Sequence, residues 1–296
     1  MSSTTSPDAI PRAGTGRRRL AWFPRDPTVL LAGGMLLTII GLAMSAPWTS
    51  PYDPYQTGHI PFLPPSFMEG GSPEFLLGTD QQGRDLLSRL LYGTRNTLLT
   101  GFLAVLFGGG TGVMLGIIAA YFQRLDPPIM RCVDVLLSFP AILLGLSLAA
   151  VVGPGTLPVI IALSIAAIPD VARITRSTAL VVMGQEYMEA GRAIGLSDRT
   201  LIVRYLGLNC IGSVFVFLTL RFGQVILIGA ALSFLGLGVR PPEAELGMMA
   251  SQGRDALFFA AHIATLPSLV IFVTVLCANL LGDALRDALD PRMRNL

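Results

Sequence analysis

The residues able to do covalent chemistry are few in this chain and poorly placed for it. All 21 basic residues are arginine and lysine is absent. A G-x-x-x-x-G-K-[S/T] phosphate loop needs a lysine for the terminal phosphates, so the chain cannot hydrolyse ATP by that route. The three cysteines, Cys132, Cys210 and Cys277, and the two histidines, His59 and His262, are scattered. With no C-x-x-C or H-E-x-x-H spacing, a metal site is not indicated, and buried inert thiols are the default. Ser/His/Asp clusters and paired intramembrane carboxylates are also missing, which argues against an enzyme. The arginines at positions 12–25 have no aromatic residues arranged as stacking platforms, so nucleic-acid binding finds no support.

Two groups of polar residues remain. The first is the run Glu186–Arg199. Glu186 to Ile194 favours helix and carries small residues at Ala190, Gly191 and Ala193. Gly195 stands where a helix ends on a positive φ, and Ser197 with Asp198 suits the start of a second helix. A helix–turn–helix with one small-residue side fits docking into another protein's groove; a solvated hairpin is the alternative. The second group is Asp134, Asp170, Arg173, Arg176 and Arg221, charged residues in or beside apolar runs. Such residues must face a partner, water or one another. Asp170, Arg173 and Arg176 are expected just inside the cytosolic boundary, and Arg221 and Asp134 are the candidates for lining a polar passage.

The elements that position these residues are set by hydropathy. The 296-residue chain is 52% hydrophobic and 14% charged, with a mean hydropathy of +0.63, against about 25% charge in soluble domains. About 20 apolar residues cross a bilayer as helix. Candidate spans cover 28–46, 98–121, 132–152, 157–167 (continuing toward 183), 210–235 and 260–281. The fold class is therefore an all-α membrane protein with six transmembrane helices. Fifteen arginines fall on one side, including five before the first span, and five on the other, which argues for both termini in the cytoplasm. Residues 1–27 read as a disordered tail. Residues 28–95 hold the first span, an outer loop and, over 83–96, a short helix along the interface, with a plain extension of the second span as the alternative. Residues 96–285 hold five spans, with the polar loop at about 184–209, and 286–296 form a second tail. Gly108, Gly112 and Gly116 form a stripe that lets helices approach closely.

Several segments resemble a known family. Glu189-Ala190-Gly191-Arg192-Ala193-Ile194-Gly195 resembles the EAA loop of ABC-importer permeases, roughly E-A-A-x-x-x-G, with Gly191 in place of the second alanine. Gly78-Thr79-Asp80 with Gly83-Arg84-Asp85, Met130-Arg131 with Asp134, and Leu137-Ser138-Phe139-Pro140 are similar to segments of C-type dipeptide/oligopeptide permeases. So are Leu232–Val239 with Pro241-Pro242, and Asn279 to Arg292. The blocks follow the family's order from about residue 75 to the end. Departures are Tyr205, Gly207 and Leu208 before Asn209, Gly229 where a glutamate is common, and Leu246 where a tryptophan is common.

The resemblance implies a type I ABC-importer permease fold in a bacterial inner membrane. It implies a homologous second permease subunit, one or two ABC ATPase subunits and an extracytoplasmic peptide-binding protein as partners, besides membrane lipid. ATP and Mg would be bound by the ATPase partners, with no cofactor on this chain. Glu189, Ala190, Gly191 and Gly195 would dock the ATPase, flanked by Arg192 and Asp198. Substrates served by such permeases include dipeptides, oligopeptides, glutathione, nickel chelates and haem. An ion-coupled secondary transporter is the alternative from another class.

Overall fold

A computed structural model of the chain describes residues 27–289. Residues 1–26, the bulk of the expected N-terminal tail, and 290–296 lie outside the described residues. Helix α1 (Pro27–Met44) is followed by the short α2 (Ala46–Thr49), and after an irregular outer segment by α3 (Leu86–Tyr121). Then come α4 (Asp126–Leu137), α5 (Ala141–Val152), α6 (Thr156–Met183), α7 (Glu186–Ala193) and α8 (Asp198–Thr200). A π-helical turn, Leu201–Gly207, leads into α9 (Leu208–Phe234); α10 (Leu246–Gly253) and α11 (His262–Leu289) complete the order. Among the described residues five helices are long and apolar enough to cross a membrane, and the bent pair α4–α5 can supply a sixth crossing.

Two expectations are corrected. The span expected at 132–152 is a broken pair whose halves meet at 84°. The break falls at Ser138-Phe139-Pro140, where the proline has no N–H to continue the ladder and its ring disfavours helical geometry at Phe139. The separate interfacial helix expected over 83–96 does not form. Its residues begin α3, which runs without interruption for 36 residues, about 54 Å at 1.5 Å per residue and far more than a bilayer core needs. Asp85 caps it, its carboxylate accepting the Ser88 N–H at 2.8 Å and O–H at 2.6 Å.

Arg84 and Arg89 are each only 1% exposed, so neither lies along a membrane surface. Arg84 Nε sits 2.6 Å and Arg89 Nε 3.3 Å from Asp80 Oδ2. Arg89 also donates to the carbonyls of Pro54 and Pro242 at 3.1 and 3.2 Å. Buried charges persist when paired and hydrogen-bonded, and here they tie two outer segments to the start of α3. Glu245 does similar work for α10. Its carboxylate accepts the N–H groups of Gly247 and Met248, at 3.0 and 2.9 Å, and the hydroxyl of Thr97 at 3.0 Å.

The bundle is organised around α3 against α6. A Cβ built on Gly108 would lie 2.3 Å from the Ser164 carbonyl oxygen, one on Gly112 2.7 Å from Val171 Cβ, and one on Gly116 2.6 Å from the Ala172 carbonyl oxygen. The glycine stripe is thus a backbone-to-backbone contact. Gly108→Leu should cost about 3 kcal/mol by overpacking and lower the Tm of the detergent-purified protein. Gly110→Leu is the control, since a Cβ there meets nothing within 4 Å, and its Tm should stay unchanged.

Candidate functional site

The polar run between α6 and α9 forms a hairpin at one end of the bundle. Helix α6 stops at Gly184; Gln185 is extended, with φ −85° and ψ 144°, and α7 starts at Glu186. Met188 and Gly191 point inward, while Glu186, Tyr187, Glu189, Ala190, Arg192, Ala193 and Ile194 are exposed. The turn closes α7 with two hydrogen bonds, Gly195 N–H to the Arg192 carbonyl at 3.0 Å and Leu196 N–H to the Gly191 carbonyl at 3.1 Å. This is the Schellman arrangement, which needs a left-handed residue at its pivot; Gly195 has φ +78°. The Ser197 hydroxyl then accepts the Thr200 N–H at 3.4 Å to start α8. The π-helical turn carries the second arm into α9.

One side of the hairpin is packed into the bundle. Met188, Leu201 and Leu206 are buried with Ala120, Ala179, Val182, Cys210 and Val214. A Cβ on Gly191 would stand 2.9 Å from Leu201 Cδ2, so the two arms meet where the small residue lies. The other side carries the free carboxylates Glu186 and Glu189 and, at the tip, Ile194, which is 75% exposed. The hairpin thus has an internally fixed shape and an open outer row.

Arg192 and Asp198 turn toward their own chain. The Arg192 guanidinium lies 5.7 Å from the centroid of the Tyr121 ring, a cation–π distance, and its Nη2 is 3.6 Å from Met183 Sδ. The Tyr121 hydroxyl donates to Asp198 Oδ1 at 2.5 Å. Tyr121, the last residue of α3, was not among the residues singled out from the sequence. The only local signal for it is an aromatic residue at the end of a span, because its partners lie about seventy positions further along.

The second group forms three ion pairs on α6. Arg221, midway along α9, pairs with Asp170, midway along α6, and also donates to Gln224 Oε1 at 2.5 Å. Arg173 pairs with Asp134 of α4 at 2.6 Å. Arg176 grips Asp126 of α4 with two nitrogens, both at 2.5 Å. The two candidates for the passage, Arg221 and Asp134, are therefore each paired with α6 and not with each other. Asp170 is placed differently from the expectation: it sits at the centre of its helix, not toward the end with the hairpin. The Arg173–Asp134 pair is more than half exposed, and Asp170 is 37% exposed at its side chain. Charges open to the outside of a membrane helix must look onto water or another protein. The opposite side of the chain differs. There α1, α3, α9 and α11 line an apolar groove of about 710 Å³ that includes Phe102, Leu106, Phe215 and Leu281.

Among the described residues no group of three or more His, Cys, Asp or Glu side chains is placed to hold a metal. Cys132 is exposed, Cys210 and Cys277 are buried, and all three are free. The arrangement offers an exposed polar hairpin and a set of ion pairs.

Comparison with known proteins follows the same lines. Residues 112–295 match the family described as binding-protein-dependent transport system inner membrane component. The chain is 42% identical over 267 residues to the di/tripeptide transport system permease protein DppC of Pseudomonas aeruginosa, covering 89% of this chain and 88% of that one. It is 41% identical to the glutathione transport system permease protein GsiD of Pectobacterium atrosepticum, covering 92% and 90%. Its fold is similar to that of an inward-facing MetNI methionine ABC transporter, with TM-score 0.58 and 20% identity over 69% of this chain and 98% of that one. The relatives are transport permeases, and the ion-coupled alternative loses its ground. The chain belongs to the family of binding-protein-dependent transport system inner membrane components.

Proposed function

We propose that this chain is one of two homologous permease subunits of an ATP-driven importer of di- and oligopeptides, with both termini in the cytoplasm. In this reading the hairpin docks a cytosolic ATPase through Glu189 and Ala190, with Ile194 at its tip and Gly195 setting the turn; Gly191, expected among the contacts, is buried against Leu201 and instead sets the spacing of the two arms. Arg192 and Asp198 support the hairpin from within. ATP and Mg belong to the ATPase partners, and an extracytoplasmic binding protein delivers the peptide. ATP-driven closure of the ATPases favours one arrangement of the spans over another, which is all that a coupled two-state passage requires. The observation that carries the reading is the preformed hairpin with an open outer row, in a chain whose relatives are named as di/tripeptide and glutathione permeases. Glutathione is itself a tripeptide, so one substrate class unites the two names.

Arg221 and Asp134 are read as lining the passage. Both pair with charges on α6, Arg221 with Asp170 and Asp134 with Arg173, and charges within spans mark polar pathways. A peptide carrying an ammonium and a carboxylate suits a face of alternating signs.

Purification through an N-terminal tag from native membranes should recover a second permease and one or two ATPases. Recovery of the chain alone would overturn the assignment. Gly195→Val forces a β-branched residue into the left-handed region, at roughly 1–2 kcal/mol, and should release the ATPases while membrane insertion stays normal. Arg221→Leu should reduce peptide uptake at least about tenfold with the complex intact, as expected from leaving Asp170 without its partner; uptake at the parent rate would remove Arg221 from the passage.

A further inference from the structure

The hairpin is held to the bundle at one place that neither the family pattern nor the packing requires. On the α6 side its covalent link is the break at Gly184–Gln185. A Cβ on Gly184 would meet only carbonyls of its own helix, Val181 at 3.7 Å and Leu180 at 3.9 Å, so nothing packs against that joint. Apolar burial of Met188, Leu201 and Leu206 holds the arms together but is non-directional. Beside this packing and the chain links to α6 and α9, a directional contact from a third element gives the hairpin a second point of attachment.

Tyr121 supplies the second point. It touches both arms from a third element: the hydroxyl reaches Asp198 on the second arm at 2.5 Å, and the ring faces Arg192 on the first arm at 5.7 Å. Phe122 packs edge-on against the same ring, with centroids 5.0 Å apart. A hydrogen bond to a carboxylate is short, directional and stronger than a neutral one. Tyr121 ends α3, and α3 is in backbone contact with α6 at Gly108, Gly112 and Gly116. A displacement of the hairpin that reaches Tyr121 therefore moves α3 and α6 as one body.

We infer that Tyr121 is the positioning residue that couples the docking hairpin to the α3–α6 pair, so that its loss leaves ATPases bound and hydrolysing ATP but disconnected from the spans. The inference rests on the proposed ATPase docking. Its test needs no knowledge of the substrate. The complete importer, carrying Cys132→Ser to remove the exposed native thiol and Ser177→Cys on the exposed side of α6 one turn beyond Arg173, is reconstituted in vesicles. The rate of labelling by a membrane-impermeant maleimide is compared with and without ATP and vanadate, while ATPase co-purification and hydrolysis are recorded alongside.

In the parent complex ATP should change the labelling rate. Tyr121→Ala should shrink that change at least about fivefold, as expected from losing a hydrogen bond to a charged group, with ATPases retained. Tyr121→Phe, which keeps the ring beside Arg192, should fall between. Asp198→Asn, which keeps an acceptor oxygen but loses its charge, should also fall between. An undiminished change in Tyr121→Ala would overturn the latch alone, and so would loss of the ATPases from that variant, which would make Tyr121 a docking or folding residue. A parent complex without ATPases would overturn the docking reading and the latch with it.

Discussion

Along the middle of α3 no side chain separates it from α6, and the rest of the chain is arranged about that contact. At Gly108, Gly112 and Gly116 a methyl group would stand between 2.3 and 2.7 Å from α6, inside any tolerable contact distance. Lipid tails are as apolar as leucine, so membrane helices gain little from apolar burial and much from close van der Waals fit. The two helices therefore behave as one stiff body. One end of it packs Leu86 and Leu90 against Leu246 of α10, and the other end carries Tyr121 to the hairpin. The length of α3, which exceeds any span, follows from having to serve both ends.

The charges are distributed according to what surrounds them. Outside the spans, at the start of α3, Asp80, Arg84 and Arg89 are buried and knit the irregular segment 50–85 to the helix. Along α6, Asp170, Arg173 and Arg176 recur every three residues, and each finds an opposite charge on α4 or α9. A helix broken at Ser138-Phe139-Pro140 has few backbone bonds to hold its halves in line, and the two pairs to α4 supply the restraint that α4 lacks. The Arg173–Asp134 pair is more than half exposed, where an ion pair contributes at most about 1 kcal/mol, and the Arg176–Asp126 pair is partly buried. They orient α4 without freezing it. The Arg221–Asp170 pair, also partly buried, joins the middles of α6 and α9.

How much of this could be read from the sequence follows from how local each feature is. The spans were legible because hydropathy is a window property, and the turn at Gly195 because a Schellman ending is encoded by a handful of neighbouring residues. The break at Pro140 was visible as a proline but not as an 84° bend, since the angle depends on what α4 and α5 pack against. The start of α3 stays open in the sequence because Leu86, Leu87, Leu90 and Leu91 make an amphipathic pattern equally suited to a membrane surface and to burial beneath a loop. What decides it is Asp80 and the carbonyls of Pro54 and Pro242, which are far away in sequence. Arg192 and Asp198 were read as outward contacts for the same reason: their partner, Tyr121, lies 77 residues before Asp198.

The departure from the E-A-A pattern at Gly191 is also an internal matter. A methyl there would press on Leu201 Cδ2 at 2.9 Å and on Leu196 Cδ1 at 3.4 Å. Both atoms are the far ends of flexible side chains, so an alanine could be admitted by a small shift. Leu201 is 1% exposed and opens the π-helical turn, so the leucine occupies the room that the missing methyl leaves. Glu186, Glu189 and Ala190 lie on the opposite side of α7 and are untouched by the exchange. The outer row of α7 and the packing behind it therefore draw on different residues.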